Sequence, residues 1–170
     1  MVETYFVVKK QTIKYKGILN VDELYLHIDE WLHSKGFDKV ETKTEEHVEK
    51  DGKYVQLKLE PFYKFNDYCK EVLRINIHMN NIKDTVVNID GHKINMQEGN
   101  VTIDTDGIFV TDYENRWESR PFYFFIRSLI DKYIYRIYNQ KYEAILKETM
   151  ADFRANLKSF LNLYRFKIEK

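Results

Sequence analysis

Between residues 38 and 112 the apolar side chains recur at every second position, and on both sides of that stretch they recur every third or fourth. Alternation sends successive side chains to opposite faces of a strand, whereas the longer spacing builds one face of a helix. A chain that changes period twice in this way folds as a sheet with helical elements before and after it. The expected class is α+β: a strand, a helix, an antiparallel meander of about five strands, then a long C-terminal helix or two helices.

The N-terminal segment Thr4–Lys16 is rich in β-branched and aromatic residues and reads as a strand ending near Gly17. Next comes a helix over 21–35. Asn20 caps it, Glu23 completes a capping box, and Leu24, Ile28, Trp31 and Leu32 form the buried stripe, widened by Val21 and Tyr25. Gly36 is placed to stop it, because positive φ costs glycine little, and Phe37 closes the cap.

Within the meander, Val40, Thr42, Thr44 and Val48 alternate with charged residues and mark the first strand. Asp51-Gly52 favours the tight turn whose twist suits a hairpin. Val55, Leu57 and Leu59 share one face of the return strand, which Pro61 ends. Leu73, Ile75, Ile77 and Met79 define a third strand. Val87 and Ile89 lead into a second turn at Asp90-Gly91, followed by Ile94 and Met96. Gly99 is expected to separate the last strand, carrying Val101 and Ile103, and Gly107 to mark a bulge or bend.

After Tyr113 the spacing returns to that of a helix, with Ser119 as cap and Pro121 in the first turn. One stripe runs from Phe122 to Ile137 and a second from Tyr142 to Tyr164. A single helix over 120–165 would extend about 68 Å, but a ten-residue strand covers only about 33 Å. A bend at Asn139-Gln140 into two helices is the favoured resolution; the other is a projecting end. The chain reads as one domain, with residues 1–118 forming the sheet and its helix. Residues 119–170 form a C-terminal helical region that packs on the sheet and projects where it outruns it.

The order strand, helix, meander, long C-terminal helix over residues 4–165 resembles the helix-grip domains of the START/polyketide-cyclase superfamily. That resemblance implies a curved sheet wrapped around the C-terminal helix, with an apolar ligand held between them. Only one helix stands between the first two strands here, and the C-terminal region is longer. The stretch NRWESRPFYFFIRSLIDKYIYRIY also looks like small archaeal or viral proteins with no assigned function. Neither likeness assigns a role to a residue.

Charge and cysteine usage narrow the chemistry. The 27 basic and 27 acidic side chains cancel, so no global field recruits nucleic acid. One cysteine, Cys69, allows no internal disulfide and no thiolate metal site of the usual kind. Its sequence neighbourhood reads as a strand, so a small packed thiol is expected. The histidines (His27, His33, His47, His78 and His92) alternate with polar neighbours and read as surface. His27 and His33, six apart on a helix, do not pair on one ion. Adjacent acids such as Asp22/Glu23, Asp29/Glu30 and Glu45/Glu46 diverge and read as solvated charge. Glycine-rich phosphate loops, HExxH and GxSxG motifs are absent from the sequence, and no cofactor is implied. The N-terminus has no signal-peptide pattern and no apolar run reaches a membrane span, so the expected location is the cytoplasm or a particle assembled there.

One segment differs in kind. Residues 116–142 carry six Lys and Arg against Glu118 and Asp131, interleaved with nine aromatic rings. Tyr123, Phe124, Tyr135 and Tyr138 fall off the core stripe, on the side shared with Arg127 and Asp131. A helix buried on one face is polar on the other, and Tyr, Trp and Arg dominate interface hot spots. Arg116, Trp117, Arg120, Tyr123, Phe124, Arg127, Tyr135 and Tyr138 are therefore the candidate partner-binding residues, unless other parts of the chain cover that face. Three functions compete. The first is a non-catalytic interaction subunit that docks a protein partner or a second copy of itself, in a virion or another large assembly. The second is a helix-grip carrier of a hydrophobic small ligand, against which the large inward-facing residues argue. The third is an enzyme with a polar pocket, for which no nucleophile, base or metal is nominated. Nucleic acid is not an expected partner; peripheral contact with lipid headgroups is a minor alternative. The first is preferred.

Overall fold

The computed structural model describes residues 3–38, 40–49, 52–89, 92–111 and 136–168. They form β1 (Glu3–Leu19), α1 (Val21–Ser34), β2 (Glu41–Glu49), β3 (Gly52–Leu59), β4 (Phe62–Lys64), β5 (Cys69–Ile89), β6 (His92–Thr111) and α2 (Arg136–Ile168). This is the expected α+β order, and β2–β6 match the expected count of about five strands in the meander, though not where each begins and ends.

Both ends of α1 are fixed by the residues that announce it. Asn20 Oδ1 accepts from the backbone N–H groups of Asp22 and Glu23 at 3.0 and 3.1 Å. The Asn20 amide donates in turn to Glu23 Oε1 at 3.3 Å. At the other end the N–H of Gly36 donates to the His33 carbonyl and that of Phe37 to the Leu32 carbonyl, each at 3.0 Å. These two bonds are a Schellman motif, and Gly36 at φ 76° is its left-handed residue. Leu24, Ile28, Trp31 and Leu32 are the buried face.

The six strands form one antiparallel sheet in the order β1-β6-β5-β3-β2, with β4 paired to β5 beyond the end of β3. Pro61 interrupts what would otherwise be one strand, since it has no N–H to give to the ladder. On β5 the inward side chains Leu73, Ile75, Ile77 and Met79 are buried. Arg74, Asn76 and His78 take the opposite face, where Arg74 Nε donates to Glu60 Oε1 at 2.8 Å and Tyr54 Oη meets His78 Nδ1 at 3.3 Å.

Four expectations are corrected. Gly99 does not separate two strands: β6 runs unbroken from His92 to Thr111, and β5 likewise absorbs both runs assigned to different strands. The ladder shifts between Asn80 and Lys83, with Asn81 at φ 55°, and Gly99 lies opposite. A Cβ at Gly99 would overlap Ile82 Cδ1 and sit 3.1 Å from the Asn80 carbonyl oxygen. The glycine admits the bulge; it does not turn the chain. Gly52 is likewise a strand residue, paired with Glu49. The bulges near Gly107 lie on its partner, β1, whose register shifts between Phe6 and Gln11. Finally, α2 runs through Asn139-Gln140 as one unbroken helix. Neither residue removes a helix hydrogen bond as proline does; Gln140 is a good helix former and the modest cost of Asn139 is overridden. Residues 120–135 lie outside the described residues.

At about 1.5 Å per residue, the 33 residues of α2 extend about 50 Å. Leu146, Met150, Phe153, Leu157 and Leu161 form its buried stripe, laid against β1, β6 and β5. The two helices also meet. Trp31 packs on Phe153 with ring centroids 4.7 Å apart. His27 stacks on Phe160 at 4.3 Å and bonds Asn156 Oδ1 at 2.6 Å, so this histidine is half-buried between helices where a surface position was expected.

Candidate functional site: an apolar cleft under the first helix

The position of α2 decides where the sheet stays open. Because α2 lies along β1, β6 and β5, and the C-terminal half of α1 leans on α2, the N-terminal half of α1 spans the β5-β3-β2 side of the sheet. A cleft of about 560 Å³ remains there. Val21, Leu24, Tyr25 and Leu26 of α1 form one wall; Val55 and Leu57 of β3 with Ile77 and Met79 of β5 form the floor. Asp22 and Thr44 are the polar residues of its lining.

The walls follow from local structure. Val55, Leu57, Ile77 and Met79 occupy alternate positions of adjacent strands, so they project to the same face. Leu57 pairs with Ile77 and Val55 with Met79. On α1, Leu24 is buried but Leu26 is 54% exposed, an apolar residue off the core stripe. The helix start is held in place by the Val21 N–H, which donates to Gln97 Oε1 at 3.1 Å. The volume falls within the range of small-molecule sites. Among the described residues, large side chains therefore do not fill this side of the sheet.

A second unusual environment lies at the other end of β5. Glu71 is 3% exposed on the helix-facing side, paired with Phe109. Its Oε2 has no hydrogen-bond partner among the described residues. Burial pushes its carboxyl up to about 7. Nearby, Phe65 stacks on Tyr142 at 4.4 Å, and Phe109 lies 6.0 Å from the same ring. Cys69 is free and buried, and burial raises its thiol to about 11. A thiol held protonated is a packing group and not a nucleophile.

Among the described residues no group of three His, Cys, Asp or Glu side chains is placed to hold a metal ion. No helix among them is long and apolar enough to cross a membrane. Of the sequence-nominated partner residues, Arg116, Trp117, Arg120, Tyr123, Phe124, Arg127 and Tyr135 lie outside the described residues, and Tyr138 is placed only as part of the α2 backbone. The cleft was not nominated from sequence. Its one signal was Leu26, apolar and out of phase with the α1 stripe. Compared with protein-family models, curated proteins and solved structures, the chain matches none.

Proposed function

We propose that this protein binds a small apolar molecule in the cleft between α1 and the β5-β3-β2 part of the sheet. The observation that carries the reading is the cleft itself: about 560 Å³, with eight of its ten lining residues apolar or aromatic. The order of elements supports it too. A helix follows β1 and a long helix comes after the last strand, the element order on which the helix-grip resemblance rests. A preformed apolar surface open to water gains free energy when a ligand displaces that water.

Titration with N-phenyl-1-naphthylamine, a neutral dye that fluoresces in apolar surroundings, tests this. Saturable binding of one dye per chain is expected. Val55→Trp, which places an indole in the cleft, weakens it at least tenfold with little change in melting temperature. Non-saturable binding, or binding indifferent to Val55→Trp, would overturn the reading.

A second reading rests on the sequence of residues 116–142, where four positive charges in excess are interleaved with aromatic rings. In it, that segment docks a protein partner or a second copy, and the protein is an interaction subunit. Light scattering across a concentration series tests self-association. Replacing both Tyr123 and Phe124 by Ser is expected to abolish assembly while leaving stability within about 1 kcal/mol, because the transfer cost applies only to buried area. Unfolding of that variant would show instead that the rings belong to the core.

A further inference from the structure

The polar residues of the cleft suggest which end of a ligand it receives. Asp22 stands on the α1 wall and Thr44 on the β2 wall. Two residues along β2, Glu46 pairs with Val55, which is part of the floor, so Glu46 lies on the cleft side of the edge strand. Both acids are exposed to solvent. One carboxylate thus belongs to the α1 wall, and a second lies on the cleft-facing side of β2. No lysine or arginine is among the described residues lining the cleft. Among the described residues, two lysines of β2 and β3 pair with other acids: Lys43 Nζ is 2.8 Å from Glu45, and Lys53 Nζ is 3.9 Å from Asp84. The positive end of the α1 dipole offsets about half a charge, which leaves the described residues around the mouth net negative.

Building on the apolar-ligand reading, we propose that the occupant is an amphiphile with a protonated amine at its polar end. Its hydrocarbon lies on Leu57, Ile77 and Met79, and its ammonium sits between Asp22 and Glu46 with Thr44 Oγ1 accepting from it. An ammonium donates up to three hydrogen bonds and these groups offer only acceptors to it. A carboxylate-headed ligand would meet like charge there. An alcohol would meet neither penalty nor gain.

Three ligands of equal chain length separate the possibilities: dodecylamine, dodecanol and dodecanoate, each displacing N-phenyl-1-naphthylamine at pH 7 and below its micelle concentration. Dodecylamine is expected to displace the dye at roughly tenfold lower concentration than dodecanol, since exposed ion pairs contribute modestly and two act together. Dodecanoate is expected to be the weakest. The amine advantage shrinks in 0.5 M salt, where the Debye length falls to roughly 4 Å. Asp22→Asn with Glu46→Gln abolishes the advantage, whereas Glu30→Gln, an exposed α1 acid outside the cleft lining, leaves it intact. Equal displacement by all three overturns the amine proposal while leaving apolar binding in place. Failure of all three to displace a bound dye, or of the dye to bind at all, overturns both.

Discussion

Glu71→Gln is expected to remove a loss of stability of about 3 kcal/mol that the native chain suffers as pH rises from about 4.5 to 7. The carboxyl is almost fully buried, and burial raises it from an ordinary 4.5 to about 7. Below 4.5 both folded and unfolded chains carry the proton, and ionisation costs nothing. Between 4.5 and 7 the unfolded chain has released it while the folded chain holds it, so each pH unit favours unfolding by about 1.4 kcal/mol. Above 7 the folded state bears the full cost of an ionised buried carboxylate. Glutamine keeps the shape without the charge and flattens this slope. Two other acids act with opposite sign and at lower pH. On Glu60 burial works upward, but hydrogen bonds from Arg74 and Lys58 outweigh it and the carboxyl lies below its usual value. The hydrogen bond from Lys35 lowers Asp152. Both contributions are lost as pH falls below about 4. Urea denaturation of the two proteins from pH 4 to 8 checks the sign: the curves converge in acid, separate as pH rises towards about 7 and stay apart above it. Parallel curves would contradict the assignment.

Phe153→Ala is expected to destabilise the protein by about 4 kcal/mol, the typical cost of deleting a fully buried ring and leaving its cavity. Phe153 is 1% exposed and faces Trp31 across the α1–α2 contact, so its loss removes packing on both helices at once. For a chain of this length the melting temperature falls by roughly 10 °C. Leu163→Ala, on the same helix but 57% exposed, is the control and changes stability by less than about 0.5 kcal/mol. Comparable losses in the two variants would mean that α2 is not seated through its Phe153 stripe.

Much of the architecture was legible because its signals are local. Asn20, Gly36 and Phe37 bound α1 through bonds spanning at most five residues. The alternation from Leu73 to Met79 names the buried face of β5 without help from its neighbours. What misled is non-local. Gly99 reads as a chain breaker, yet it faces Asn80-Asn81 across a ladder, and together they form a single irregularity in two long strands. The three-residue β4 is too short to show a period. The cleft was hidden for a different reason: its volume depends on how far α2 reaches across the sheet, which no residue of α1 or β3 encodes. Leu26 alone, out of phase with its helix, pointed toward it. The aromatic segment 116–135 is as plain in the sequence as any feature, and it lies outside the described residues.

The pairing of the first strand with the last carries a cost during synthesis. Thr12 bonds Asp104, 92 residues further along the chain, and ribosomes add roughly 5–20 residues per second. For at least several seconds, then, β1 emerges with no native partner, an apolar ribbon open to wrong pairings. Lys9, Lys10, Lys14 and Lys16 punctuate that ribbon, and charges so placed repel a stray edge until β6 arrives.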